Sequence, residues 1–170
     1  SDQSELSPEL LFGDGLYNYY SVWVPENYPI LKPVLLFFKK GEKAKGIQQL
    51  EKVVSEAFYT KTEAQYFLMR IYSDENQPDK AFETSRYLYQ TFPDNPYFHR
   101  YFARMLYSQG DMYMLEPVAK SIMARIDSGQ VGYEEISGRY ASFYLGHLYR
   151  VIHRDIEKAK YYYLRTVAFA

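Results

Sequence analysis

The chain has 170 residues, and its 20 Lys and Arg against 21 Asp and Glu give a formal net charge of -1. This balance provides no overall attraction for nucleic acid or for an anionic membrane, and we expect neither nucleic-acid binding nor membrane insertion. The complete lack of Cys excludes disulfides, thiol nucleophiles and Cys-based metal sites. The opening SDQSELSP, without an initiator Met or an apolar signal segment, predicts a processed or trimmed piece.

Helix signals begin close to the first residue. Ser7-Pro8-Glu9 is typical of a helix start and predicts a helix over 8–24. A second helix is expected over Pro29–Lys40, with Gly41 as the turn to a partner helix that completes the unit 29–59. The expected inner face of this partner helix consists of Gly46, Leu50 and Val53.

The stretch 62–95 reads as one complete helix–turn–helix unit of 34 residues. Thr60 with Glu63 predicts a capping box at the start of its first helix. Ala81 is the small residue expected where the two helices approach closely, and Pro93 ends the second helix.

The same pattern returns in the unit 96–129, although its second helix is irregular. Pro117 has no amide N–H and clashes with the preceding turn, so this helix is expected to start near Glu116 or to kink there. The loop 127–132 then separates this unit from the last one, 136–170. Composition alone would allow a strand in short apolar runs, but the turn spacing favours helices throughout.

Four motifs carry a resemblance to a known family. They are a G-x-G-x-Y-x-Y-Y helix from Gly13 to Tyr20, a G-[IL]-x-x-L segment from Gly46 to Leu50, the segment TKTEAQYFL from Thr60 to Leu68, and a helix end from Phe92 to Pro96. With these motifs the chain resembles tetratricopeptide-repeat (TPR) proteins, and in particular a bacterial subgroup distantly similar to the mitochondrial outer-membrane and inclusion-body-clearance repeat proteins. The resemblance implies stacked helix pairs that bind other proteins in a bacterial cytoplasm or periplasm.

The expected fold is therefore all-α: a right-handed TPR-like solenoid of about eight or nine helices, without a strand of five residues or more. A single domain is expected over 1–170, with a first helix over 8–24 and the four units given above. We expect the turns near Gly41, Asn76, Gly110 and Arg154.

Motifs for catalysis and for cofactors are weak in this sequence. Gly13-Asp14-Gly15 lacks the third Gly and the preceding strand of a dinucleotide site, and its glycines instead predict close packing of a bulky neighbour. Gly41–Gly46 has the spacing of a phosphate loop but lacks the Lys-Ser/Thr that follows one. His147 and His153 do not share a helical face, and His99 stands alone. We expect no enzyme activity, no cofactor and no metal site.

The first helices of three units share an aromatic and basic face when one helical phase is applied to each. By the resemblance, this face lines a concave groove, in which Arg70, Arg104 and His147 form a ladder. Such a groove suits an acidic, C-terminal or phosphorylated peptide, since Arg binds carboxylates and phosphates with two hydrogen bonds. In the alternative interpretation, Asp or Glu of neighbouring helices neutralises the arginines. The expected groove residues are Tyr66, Arg70, Tyr97, Arg100, Arg104, Tyr107, Tyr140, Phe143, His147 and Arg150.

The final helix, expected from Asp155 to Ala170, lacks a polar stripe in its last turns. A solenoid needs a polar terminal helix, or its open end exposes apolar surface. This end is therefore expected to pack on a second copy of the chain, on further repeats or on its own neighbour. The chain accordingly has two candidate roles, an interaction module with a protein or peptide partner and a structural or oligomerisation segment without a groove ligand.

Overall fold

The computed structural model describes residues 8–170, and the prediction made on the first residues of the chain lies outside them. Within this range the chain is all-α and contains no β-strand, which confirms the predicted fold class. The elements are α1 Pro8–Asn27, a 3-10 turn Pro29–Leu31, α2 Lys32–Leu35, α3 Lys43–Glu56, α4 Lys61–Asp74, α5 Pro78–Thr91, α6 Pro96–Gln109, α7 Met112–Asp127, α8 Glu135–Val151 and α9 Ile156–Ala168.

The helices form two compact units, one ending at Thr84 and the other running from Ser85 to Ala170. Helix α5 contributes residues to both. Three features of the expected fold stay predictions: the right-handed course of a solenoid, the single domain over 1–170 and the repeat boundaries. No helix among the described residues has the length and apolar character that crossing a bilayer requires.

In the first unit, α1 packs against α3, and α3 packs against α4. Glycines bring α1 and α3 close together: a Cβ atom on Gly46 would lie 2.7 Å from the carbonyl oxygen of Gly15. A Cβ on Gly15 would in turn lie 2.9 Å from Cγ of Leu50, a fully buried residue. The prediction that the first glycine motif admits a bulky neighbour is therefore confirmed at Gly15.

The helix predicted over Pro29–Lys40 is wrong. The chain forms a 3-10 turn followed by the single helical turn Lys32–Leu35, and α1 extends to Asn27 instead of ending at 24. Proline lacks the N–H that a helix interior needs and disfavours helical geometry in the residue before it. Pro29 and Pro33 act on this short stretch together, and neither short element buries a residue that could offset the cost.

The predicted capping box is also wrong. Thr60 does precede α4, but its side chain makes no cap hydrogen bond to that helix. Its hydroxyl instead donates to the Glu9 carboxylate, 51 residues earlier in the chain. Sequence spacing alone does not reveal this competing acceptor.

In the second unit, α6 packs against α7 and α8, α7 against α8, and α8 against α9. The side chain of Asp111 accepts a hydrogen bond from the N–H of Met114, so α7 begins at Met112 and runs on through Pro117. The prediction of a helix start near Glu116 is wrong because this cap acts earlier. The buried core of the unit includes Leu106, Leu115, Ile122, Leu145 and Leu148.

The predicted turns are confirmed. Asn76, Gly110 and Arg154 all have left-handed backbone geometry, with φ angles of 54°, 74° and 54°. Gly41 lies between α2 and α3, where its N–H donates to the Ser21 hydroxyl at 2.9 Å. The predicted loop at 127–132 begins where α7 ends, at Asp127.

Candidate functional site

Helix α6 carries a short internal repeat, Tyr97-Phe98-His99-Arg100 followed by Tyr101-Phe102-Ala103-Arg104. Asn95 caps the helix by accepting hydrogen bonds from the N–H groups of Tyr97 and Phe98. Because the repeat has four residues, corresponding side chains stand one above the other on successive turns. The helix therefore has a column of tyrosines beside a column of arginines.

Each of these arginines lies over a tyrosine ring. Cζ of Arg100 is 5.5 Å from the ring centre of Tyr97, and Cζ of Arg104 is 5.5 Å from that of Tyr101. These distances suit a cation–π attraction, which holds a guanidinium in place without removing its charge. Arg104 is exposed to solvent, and Arg100 is half-buried.

Aromatic side chains join α6 to α8. The Tyr107 ring stacks on Tyr144 at 4.6 Å between centres, and its hydroxyl lies 2.9 Å from Nδ1 of His147. Phe143 completes this cluster, 5.9 Å from the Tyr107 ring. Phe143 and Tyr140 are both exposed, and they extend the same surface along α8.

A polar contact joins the first turns of these helices. Nη1 of Arg100 donates to the buried hydroxyl of Ser137 at 3.0 Å. Near the middle of α8, burial raises the pKa of Tyr144 to about 12, while the charge of Arg104 acts in the opposite direction. Arg104 is therefore close enough to influence the aromatic cluster.

The tyrosines, arginines and aromatic cluster of α6 and α8 together form one surface. We call it the α6–α8 face and define it by Tyr97, Arg100, Arg104, Tyr107, Tyr140, Phe143 and His147.

The two arginines of this face differ from other arginines of the unit in their charged neighbours. Within residues 8–170, neither Arg100 nor Arg104 forms an ion pair with Asp or Glu. Other arginines of the unit do so: Arg125 pairs with Asp94 at 2.6 Å, and Arg165 pairs with Asp127. The alternative in which neighbouring acids neutralise the predicted groove is therefore wrong for Arg100 and Arg104.

The remaining predicted groove residues lie apart from this cluster. Arg150 is exposed in the last turn of α8, and no ring contact or ion pair joins it to the cluster within residues 8–170. Tyr66 and Arg70 belong to the first unit, where Nη1 of Arg70 donates to the Tyr66 hydroxyl at 3.2 Å. The predicted ladder from Arg70 through Arg104 to His147 spans two units and stays a prediction.

Sequence reasoning missed three residues whose side chains contact members of the face: Tyr101, Ser137 and Tyr144. The four-residue repeat in α6 is the signal that identifies Tyr101, because it pairs each arginine with the tyrosine three residues earlier. Tyr144 follows Phe143 directly and lies outside the chosen helical phase. Its stacking on Tyr107 depends on the approach of α6 and α8, which the local sequence does not specify.

His99 lies inside the second unit and belongs to its core. Its Nδ1 is 3.0 Å from the Tyr133 hydroxyl, its ring lies against Tyr89, and Nε2 has no hydrogen-bond partner of normal geometry in the described chain. Burial lowers the pKa of His99 to about 4, Arg125 adds to this effect, and the carbonyl of Val118 opposes it. The imidazole is therefore neutral at physiological pH.

The comparisons with known proteins identify no relative. No family model, curated protein or solved structure matches this chain. Among residues 8–170 there is also no group of three or more His, Asp or Glu side chains that could hold a metal ion.

Proposed function

We propose that the chain is a non-catalytic, TPR-like interaction module whose second unit binds an extended acidic peptide on the α6–α8 face. The observation that carries this proposal is the pair Arg100 and Arg104, which stand one turn apart without a carboxylate partner in residues 8–170. Like charges at this spacing repel each other by about 0.2–0.5 kcal/mol on a helix. A carboxylate bound between them would turn that repulsion into two attractive contacts.

The surroundings of the two arginines favour a peptide over a free ion. Tyr140 and Phe143 expose apolar surface next to the charged column, and they offer contacts to the side chains and backbone of an extended chain. A guanidinium can bind a carboxylate with two parallel hydrogen bonds, which a solvated lysine does not match. An acidic segment with aromatic or aliphatic residues between its carboxylates would use both features.

Contacts within the chain order the side chains of the face without a ligand. Tyr107 is fixed by stacking on Tyr144 and by its hydrogen bond to His147, while Arg100 is fixed by Ser137. Side chains that are already ordered lose less entropy on binding. This order supports a specific peptide site rather than a loosely attractive surface.

The test is a binding titration with a fluorescein-labelled peptide of alternating glutamate and alanine. We expect salt-sensitive binding by the intact chain, and on the order of tenfold weaker binding by Arg104→Ala, because a hydrogen bond to a charged group contributes about 1.5–3 kcal/mol. Arg104 makes no hydrogen bond to the rest of the described chain and loses only its contact with the Tyr101 ring, so the melting temperature should change little. Arg100→Ala should also weaken binding, but it removes the bond to Ser137 and should lower the melting temperature.

Two controls make the titration specific. Lys160→Ala removes one exposed positive charge from α9 and should leave the affinity unchanged. A peptide of alternating lysine and alanine should not bind. Equal affinity for both peptides, or an affinity that Arg104→Ala does not alter, would refute the acidic-peptide proposal.

A second candidate function, oligomerisation, is supported by α9. Tyr161, Leu164 and Val167 are 54%, 61% and 71% exposed, and their spacing places them on one side of the helix. An exposed apolar stripe on a terminal helix is typical of an end that packs on another chain. The chain would then act as a structural segment that associates through its last helix.

A further inference from the structure

The first unit exposes an apolar segment between α1 and α3. Ile30, Leu36 and Phe37 are 87%, 82% and 90% exposed, which is unusual for side chains of this size close together in sequence. We call residues 28–38 the apolar segment. Its exposed large side chains are Tyr28, Ile30, Leu31, Val34, Leu36, Phe37 and Phe38.

The apolar segment is anchored at both ends. Where it begins, the N–H of Tyr28 donates to the carbonyl of Val24 at 2.8 Å, and the Tyr28 ring packs at 5.9 Å from Trp23. Where it ends, the Tyr17 hydroxyl donates to the carbonyl of Lys39 at 2.5 Å. Both ends of the segment are therefore attached to α1, so its backbone stays close to that helix.

Three lysines lie within or directly after the segment. Lys32, Lys39 and Lys40 have no carboxylate partner within residues 8–170, whereas Lys43 pairs with Glu26 and Glu75 at 2.8 and 2.9 Å. The net charge of -1 for the whole chain conceals this local positive cluster. Together, the exposed apolar side chains and these lysines favour a partner that is both apolar and negatively charged.

The shape of the segment indicates which partner fits. Its largest side chains project outward, and a protein partner would need a matching cavity for each of them. A lipid bilayer deforms around projecting side chains and needs no such cavities. Aromatic residues favour the boundary between acyl chains and headgroups, and lysines beside them bind anionic headgroups. A groove of about 460 Å³ adjoins the segment, and its lining includes Lys32, Leu35 and Phe38 of the segment and Val22 and Pro25 of α1.

We propose that the apolar segment, with Lys32, Lys39 and Lys40, attaches the first unit to the surface of an anionic lipid bilayer. The apolar side chains enter the interfacial layer, and the three ammonium groups lie among the lipid phosphates. A segment of this length binds at one leaflet and does not cross the membrane. This attachment does not depend on the peptide site proposed for the second unit.

The experiment is co-sedimentation of the complete chain with vesicles of equimolar phosphatidylcholine and phosphatidylglycerol, compared with vesicles of phosphatidylcholine alone. We expect binding to the anionic vesicles that weakens as salt rises, since salt screens exposed charges. Lys39→Gln with Lys40→Gln should lower the partition coefficient on the order of 25-fold, because each lysine near an anionic surface contributes about a factor of five. Leu36→Ser with Phe37→Ser should abolish sedimentation with either vesicle.

The matched control is Val131→Ser with Lys160→Gln, which removes an exposed apolar side chain and an exposed charge from the second unit. It should sediment like the original chain. The proposal is overturned if the original chain does not sediment with anionic vesicles at low salt, or if the control loses binding as fully as the segment variants. It is also overturned if Leu36→Ser with Phe37→Ser lowers the molar mass in light scattering, because the segment would then be covered by a second copy.

Discussion

The Glu9 carboxylate, in the first turn of α1, accepts the Thr60 hydroxyl at 2.6 Å across 51 residues of sequence. The same carboxylate accepts the backbone N–H groups of Phe58, Tyr59 and Thr60, at 3.0 to 3.1 Å. One side chain thereby holds the connection between α3 and α4 against the start of α1. The Thr60 hydroxyl and the Tyr59 N–H lower the pKa of Glu9 to about 2, because both stabilise the ionised carboxylate.

Glu9→Gln should destabilise the first unit. The amide has nearly the same size but only one acceptor oxygen, so it leaves some of the four donors without a partner. Urea denaturation at neutral pH should show a lower midpoint for this variant. The pH dependence has a definite sign: the stabilisation by Glu9 is present above its ordinary pKa of 4.5 and is lost as the pH falls toward 2.

Glu63→Gln is the matched control. Glu63 is the exposed residue that the capping-box prediction assigned to the start of α4. If Glu9 stabilises this connection, the control variant keeps the original urea midpoint. A larger loss in Glu63→Gln than in Glu9→Gln would mean that the capping box operates in solution.

The elements that could be predicted from the sequence depend on local rules. The helical spacing of Gly46, Leu50 and Val53 identified a buried face, and Gly110 marked a turn, because both signals lie within one or two helical turns. The helix expected over Pro29–Lys40 failed because neither of its short elements buries a residue, so no burial offsets the cost of its prolines. The contact between Glu9 and Thr60 could not be predicted, since it depends on how α1 and α3 pack.

In the candidate site, too, features that depend on local spacing could be predicted, and features that depend on the packing of distant segments could not. The helical phase assigned Tyr107 and His147 to the same expected groove, and in the structure the Tyr107 hydroxyl lies 2.9 Å from Nδ1 of His147. That Arg104 forms no ion pair within residues 8–170 depends on every chain segment that passes near it, so it could be recognised only in three dimensions. Tyr144 was missed for a related reason, because its ring faces α6 from between the predicted positions.

The crossing of α1 and α3 leaves no room for a methyl group at Gly46. A Cβ there would lie 2.7 Å from the carbonyl oxygen of Gly15 and 2.7 Å from the amide nitrogen of Tyr19, and both are backbone atoms that cannot rotate away. We expect Gly46→Ala to lower the free energy of unfolding by about 2 kcal/mol, a typical cost of overpacking. Gly13→Ala meets nothing within 4 Å and should raise it by roughly 0.5–1 kcal/mol, since Ala is the better helix former. Urea denaturation distinguishes the two variants, and equal effects would mean that the helices separate easily at this crossing.

The exposed stripe of α9 predicts concentration-dependent association. Leu164→Ser with Val167→Ser removes the apolar surface while leaving the inward-facing Tyr163, whose ring packs against Gly146, in place. Light scattering over a range of concentrations should show a rising molar mass for the original chain and a constant one for the double variant. Val131→Ser, in the loop before α8, serves as the control and should associate like the original chain. A constant monomer mass for the original chain would exclude self-association through α9.

His99 should make the second unit sensitive to mild acid. Its pKa is about 4 in the folded chain and 6.5 when unperturbed, so between these values the unfolded chain binds a proton that the folded chain does not. The stability is therefore complete above pH 6.5 and falls as the pH is lowered toward 4. The loss across this window should amount to roughly 2 kcal/mol, allowing for partial relaxation of the buried site.

The measurement is the free energy of unfolding in urea, taken stepwise across this window. Carboxylates with lowered pKa values, such as Glu51 and Glu75, stay ionised in both states until the pH approaches their ordinary value of 4.5, so only the upper part of the window, above about pH 5.5, isolates histidine. His99→Gln should be less stable at neutral pH, because it loses the ring contact with Tyr89, but its stability should depend much less on pH. If His99→Gln keeps the full slope above about pH 5.5, the buried imidazole is not the cause of the acid sensitivity.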